Sequence, residues 1–385
     1  MPRTPVFLTA PRSSVLATLL LSSACGLFGD DDDDETGDPT QNNLDQYEQL
    51  RLALEQKREQ VLPPVADDLA AAGPYLAWLD RTNAITAVLH TVHYPGGDDV
   101  VSEVPIGNAE TEPFYVISET IGMTAHVEGP NSIYTVFRLD TGSMLDQITR
   151  TKPQAADYDA YGVFGDQAYI VADDEQLEVY EWTPGTDTPT SIGSLGAIAA
   201  DLGVFIGFVV AEDMAGTRRL VAIGNAATYS VDLATMIPTR LPLPVQVFEG
   251  AINEHGIAVI DGTDLWWLEW DAAEARAIHD ELAASPYVLN STFAMAHLVS
   301  SGTASQDLAI DGTVLYYRST TGVYGYDVAS HAVTPVLLDN RTYDGSGVFV
   351  TYTSLNYSDA GLFVVGLEST NGATGVDGPV YRIQL

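Results

Sequence analysis

From Pro74 to the last residue, the hydrophobic positions fall in short runs rich in Val, Ile, Tyr, Phe, Trp and Thr, separated by Gly, Asp, Asn and Pro. Runs such as Ile133–Leu139, Gln167–Ala172, Leu177–Trp182, Phe205–Val210, Leu220–Ile223, Gly256–Ile260, Val314–Arg318 and Gly322–Val328 predict strands. The series continues through Gly361–Gly366 and Val380–Leu385. Within Leu265–Trp270, strict alternation sends Trp266, Leu268 and Trp270 to one face and Leu265 and Trp267, with Glu269, to the other. Only Ala272–Ala284 carries a helical period in this stretch. Without helices between strands there is no βαβ crossover, which excludes Rossmann and TIM-barrel architectures.

The strands recur as a unit: a strand, a Gly/Asp turn, a strand with aromatics, an Asp turn and a polar-edged strand. The clearest copy is Asp307–Asp339; His255–Ile278 and Arg219–Pro242 align with it, and Asp166–Ile192 is a weaker copy. The turn after the aromatic strand falls at Asp140, Thr183, Asp232, Asp271 and Asp327, spaced 43, 49, 39 and 56 residues apart. Four-stranded repeats of ~40–50 residues are the sequence mark of a β-propeller. Residues 75–385 hold about seven such blades, with six or eight possible. A strand apolar on both sides, as in Val204–Val210, suits a sheet packed between two other sheets. A flat sandwich of two large sheets is the alternative all-β fold.

The pattern upstream differs. Leu44, Tyr47, Leu50, Leu54 and Val61 recur at helical spacing, with Asn43 as cap and Gln46 in the capping-box position. Pro63-Pro64 stops this helix, and a second short helical piece over Val65–Ala72 ends at Gly73-Pro74. Asp30–Glu35 is an unbroken run of six carboxylates that repels itself into an extended spacer. Contiguous Asp does not give the spaced carboxylates and glycine of a calcium loop. Ahead of it, Arg3 and Arg12, the apolar stretch Val15–Leu21 and the small residues Ser22-Ser23-Ala24 form a secretory signal pattern. That apolar stretch is far short of the ~20 residues a spanning helix needs. The expected organisation is a signal peptide over 1–24, an acidic flexible tether over 25–42, a helical segment over 43–74 and the propeller over 75–385.

Ser22-Ser23-Ala24-Cys25 resembles the lipobox of bacterial lipoproteins, with Ser22 standing where Leu is commonest. The resemblance implies acylation of Cys25 and attachment to a membrane through its lipid. Gly26 after the cysteine implies the outer membrane, with the domain facing the periplasm or the cell exterior. The Asp307–Asp339 unit is similar to the repeats of BamB and TolB-type propellers, although their glycine and tryptophan pattern is largely missing here. That resemblance implies an architecture.

Composition narrows the partners. With 16 basic and 53 acidic residues the net charge is −37, which excludes a nucleic-acid surface and favours a basic protein or peptide partner. One cysteine excludes an intrachain disulfide and a Cys-rich zinc site. His90 and His93, three apart on a strand, point to opposite faces, so no metal site is assigned to them. No G-x-S-x-G, H-E-x-x-H or P-loop motif occurs, and no catalytic, cofactor or metal residue is assigned. Asp98-Asp99, Asp157 with Asp159, and Asp173-Asp174 are the candidate acid/base pairs; as sequence neighbours they read first as solvated turns. Glycosylation triplets begin at Asn290, Asn340 and Asn356. The expectation is a non-enzymatic, lipid-anchored envelope propeller used as a binding or scaffolding platform. The alternatives are a propeller enzyme acting on polysaccharide or another polymer, and a lineage-specific surface lipoprotein without activity.

Overall fold

The computed structural model describes residues 7–8, 48–64, 69–80, 86–105, 114–151, 159–172, 176–243, 249–260, 265–278, 308–319, 322–338, 348–370 and 376–385. Seven antiparallel meanders of four strands form a seven-blade β-propeller. Blade 1 comprises Ala70–Ala72, Tyr75–Asp80, Thr86–His93 and Asp99–Pro105. Blade 2 comprises Phe114–Ile117, Ile121–Glu128, Asn131–Arg138 and Met144–Thr151. Blade 3 runs through Ala160–Phe164, Gln167–Val171, Glu178–Trp182 and Thr190–Ser194, and blade 4 through Phe205–Glu212, Arg218–Gly224, Thr228–Asp232 and Ile237–Arg240. Blade 5 has Glu249–Ile252, Gly256–Ile260, Leu265–Glu269 and Arg276–Ala277; blade 6 has Leu308–Asp311, Val314–Ser319, Gly322–Asp327 and Ala332–Leu338. Blade 7 takes Val348–Ser358, Gly361–Thr370 and Val376–Ile383 from the end of the chain and its outer strand, Arg58–Pro64, from the beginning. A two-residue strand, Phe7–Leu8, adds in parallel to Ala251 and Ile252 on the first strand of blade 5.

The cores lie between blades. Ala70, Ala77, Leu79 and Leu89 of blade 1 pack on Tyr115, Ile117 and Phe137 of blade 2. Similar clusters join each following pair, and Leu62, Phe363, Val365 and Val380 of blade 7 close the ring against Leu69, Ala71 and Leu76 of blade 1. Each blade therefore buries both faces, which is why its middle strands are apolar on both sides. The Leu265–Glu269 strand shows this directly: Trp266 and Leu268 face blade 4, while Leu265 and Trp267 face blade 6.

The five turn markers read from the sequence each join the third and fourth strands of one blade, Asp140 in blade 2 through Asp327 in blade 6. The N-terminal reading needs correction. The helix covers residues 48–55 and ends before Arg58, and Arg58–Pro64 is a strand paired with Val376–Ile383. Ala70–Ala72, read as the end of a short helix, is likewise a strand, the first of blade 1. The propeller thus begins at 58 and reaches into the 43–74 segment. An outer strand is paired on one side only; among its described side chains only Leu62 is buried, so alternation is faint, and Pro63-Pro64 suits a sheet edge as well as a helix stop. The helix packs on its own domain, with Leu54 and Leu50 against the core between blades 5 and 6.

A seven-residue helix, Gly196–Leu202, links blades 3 and 4 and buries Ile198 and Leu202. The helical period over Ala272–Ala284 is overturned where the structure describes it: Arg276–Ala277 is a strand following a turn, and 279–284 lies outside the described residues. Apart from Phe7–Leu8, so do the 1–24 signal segment, Cys25 and the 25–42 tether. No helix among the described residues is long and apolar enough to cross a membrane.

Candidate functional site

Meander topology sets the geometry of the surface. The turn between a blade's first and second strands and the turn between its third and fourth must emerge on the same face of the ring. Every blade brings a carboxylate to that face. Asp98 comes from blade 1, Glu119 and Asp140 from blade 2, and Asp166 and Asp187 from blade 3. Blade 4 contributes Asp232, blade 5 Asp271 and Glu274, blade 6 Asp327 and blade 7 Asp359. Most of these are exposed. Two of them close their own turns, because Asp accepts backbone amides two or three residues on. Asp232 Oδ1 accepts from the Ala234 and Thr235 amides, and Asp327 Oδ1 from the Ala329 amide at 2.9 Å. At these two positions turn chemistry and charge have one origin.

Hydrogen bonds between blades hold the turns in place. Ser118 Oγ and Thr120 Oγ1 of blade 2 donate to the Gly165 carbonyl of blade 3 at 2.6 and 2.8 Å. Asn253 Nδ2 of blade 5 donates to the Gly312 carbonyl of blade 6 at 2.8 Å. Gly165 and Gly312 have φ of 57° and 54°, a left-handed backbone in which glycine avoids the Cβ penalty.

The carboxylates differ in their surroundings. The Arg138 guanidinium, 2.5 Å from Asp140, holds that carboxyl below its ordinary range. Burial pushes Asp213 up, but the Thr217 amide, Arg219 at 2.7 Å and the Ala215 amide outweigh it and leave the group lowered. Asp311 is the opposite case. Burial raises its carboxyl, the hydrogen bond from Tyr357 opposes this, and the charge of Asp359 adds to it. Tyr357 is raised by burial and by the Asp311 charge. The Asp311–Tyr357–Asp359 group at the junction of blades 6 and 7 was not visible in the sequence. Its members lie up to 48 residues apart and meet only because adjacent blades place equivalent turns side by side.

The residues singled out earlier are dispersed. His90 stacks on Trp78 with ring centroids 4.8 Å apart and bonds Asp99 Oδ2 at 2.9 Å, whereas His93 meets Tyr75 edge-on at 5.3 Å. The two histidines lie on opposite faces of their strand, as their spacing requires. Asp99 is thus engaged with His90. Asp159 is buried and accepts from Tyr134 Oη at 2.9 Å; its neighbour Asp157, together with Asp173 and Asp174, lies outside the described residues. Asn356 and Ser358 of the third glycosylation triplet are buried, while the triplets at Asn290 and Asn340 lie outside the described residues. Among the described residues, no group of three or more His, Cys, Asp or Glu side chains could hold a metal ion.

No known family matches the sequence, and no curated protein is similar to it. Solved structures share its fold. A chain from a study of two prolyl endopeptidases superposes with a TM-score of 0.50 at 11% identity, over 91% of this chain and 56% of that one. The present chain thus spans little more than half of that protein. The β-propeller domain of the Trilobed protease from Pyrococcus furiosus gives a TM-score of 0.46 at 12% identity, covering 83% and 95%. PorZ, a surface component of the type-IX secretion system of Porphyromonas gingivalis, gives 0.43 at 11%, covering 84% and 39%.

Proposed function

We propose that this protein is a non-enzymatic envelope propeller, held at a membrane through lipidated Cys25, whose turn face docks cationic partners. The observation that carries the docking surface is the convergence of carboxylates from all seven blades onto one face of the ring, in a chain of net charge −37. A rigid scaffold with charge on its turns suits recognition by attraction more than chemistry. The signal segment and the acidic run Asp30–Glu35 support export and display at a distance from the bilayer. The lipobox-like Ser22-Ser23-Ala24-Cys25 supports localisation to the envelope, and Gly26 after it favours the outer membrane.

Titration with a fluorescent oligo-arginine peptide tests the docking face. Reversing the exposed turn charges together (Asp166→Lys, Asp271→Lys, Glu274→Lys) is expected to weaken binding about tenfold at low salt, and added salt to weaken the unaltered protein similarly. Reversing Glu103 on an outer strand of blade 1 serves as the control. Equal losses from both sets of changes would overturn the assignment of the face. Fatty-acid labelling of the full chain and of Cys25→Ala tests the anchor separately.

A further inference from the structure

Among the described residues, every blade ends in an outer strand with no partner on its far edge, and six of the seven edges are blunted. Asp99–Pro105, Ile237–Arg240, Ala332–Leu338 and Arg58–Pro64 contain proline, Arg276–Ala277 is two residues long, and Thr190–Ser194 is five residues long with a register shift against its neighbour. Proline, shortness and bulges are the usual means by which sheets refuse an extra strand. The outer strand of blade 2, Met144–Thr151, has eight residues and no proline; its register shift is confined to its start, between Met144 and Asp146, and pairing is regular from Asp146 to Thr151.

Beside that strand a cavity of about 480 Å³ opens toward blade 3, lined by Ile148, Thr149, Arg150, Thr151, Tyr180 and Pro189. Its charged wall is Arg150. The guanidinium lies 4.1 Å from the centre of the Tyr180 ring, and Nε stands 3.4 Å from the buried Asp159 carboxylate, which fixes its plane. The side chain as a whole keeps 25% of its surface exposed, so a ligand at the cavity can reach it. A guanidinium held at a cavity wall and partly withdrawn from water gives a ligand oxygen a stronger charge-assisted hydrogen bond than a free surface cation does.

We propose that the outer edge of blade 2 binds an extended peptide, which adds as a fifth strand along Met144–Thr151 and seats one side-chain carboxylate against Arg150. Main-chain hydrogen bonds to the edge supply affinity, and the cavity supplies selection. The ring's overall negative charge restricts the ligand to few carboxylates, since a poly-acidic segment would be repelled. The charge preference is opposite to that of the turn face and involves different residues, so either assignment can fail without the other.

The test uses three labelled heptapeptides of alternating threonine and valine with glutamate, glutamine or lysine at the centre. With the intact protein, the glutamate peptide is expected to bind about tenfold more tightly than the glutamine peptide, and the lysine peptide more weakly than both. Arg150→Gln should remove the preference for glutamate while leaving affinity for the glutamine peptide. Because that change could disturb Asp159, amide hydrogen exchange on the unaltered protein provides an independent readout. Saturating glutamate peptide should slow exchange within Met144–Thr151 and leave the outer strand of blade 6 unchanged. Absence of binding by all three peptides, equal affinities, or no protection of 144–151 would overturn the proposal.

Discussion

Blades 6 and 7 are neighbours with the same four-stranded plan and opposite construction. Blade 6 is one continuous stretch, Leu308–Leu338, in which each hairpin holds the next strand at high local concentration. Blade 7 takes three strands from the end of the chain and the fourth from Arg58–Pro64, so no local turn joins its last pair. The difference shows where the ring depends on long-range contacts. In blade 6 covalent continuity sets register. In blade 7 the pairing of Arg58–Pro64 with Val376–Ile383 and the packing of Leu62 on Phe363, Val365 and Val380 must do so alone.

The largest expected effect comes from removing that strand. A chain lacking residues 48–64 is expected to lose its cooperative thermal transition, because blade 7 loses its outer edge, the blade 7–blade 1 core loses Leu62 and the blade 5–blade 6 core loses Leu54. Calorimetry decides this, and retention of a single sharp transition would show that six complete blades suffice to close the ring. A smaller effect is expected within a continuous blade. Asp213→Asn in blade 4 removes the charge paired with Arg219 and should cost about 1–2 kcal/mol at neutral pH by denaturant titration. Because the folded carboxyl is lowered, its contribution is present above the unfolded value and is lost as pH falls through the folded one. The variant and the parent should therefore converge in acid.

The smallest effect is expected at the boundary between the two blades, with reversed sign. Asp311 is raised in the fold, so its contribution to stability is present below the unfolded value and lost as pH rises through the folded one. Asp311→Asn should raise the Tm by a degree or two at pH 7 and leave it unchanged in acid, where both side chains are neutral. A loss of stability at pH 7 would mean that the charge on Asp311 strengthens the Tyr357 hydrogen bond enough to offset burial.

The same contrast explains what the sequence disclosed. Asp307–Asp339 was legible as a unit because all of blade 6 is local, and the turn markers from Asp140 to Asp327 fall in the blades whose third and fourth strands are consecutive. In blade 7 that connection is replaced by the meeting of the chain's two ends, so no marker exists there. The outer strand supplying the missing piece has one buried described side chain, Leu62, too little periodicity to compete with a helical reading that continues from the true helix at 48–55. The acid-rich turns were visible as composition. Their shared face required the topology, and the Asp311–Tyr357–Asp359 group and the setting of Arg150 required neighbouring blades to be in place.

Gln384 donates its amide to the Lys57 carbonyl at 3.0 Å, so the strand that starts the ring and the strand that finishes it touch beside blade 7. A pull on the chain upstream of residue 48 therefore meets the helix on blades 5 and 6 before it reaches the outer strand of blade 7, and loads that side of the disc. Blades 2 and 3, across the diameter, would feel such a load least directly.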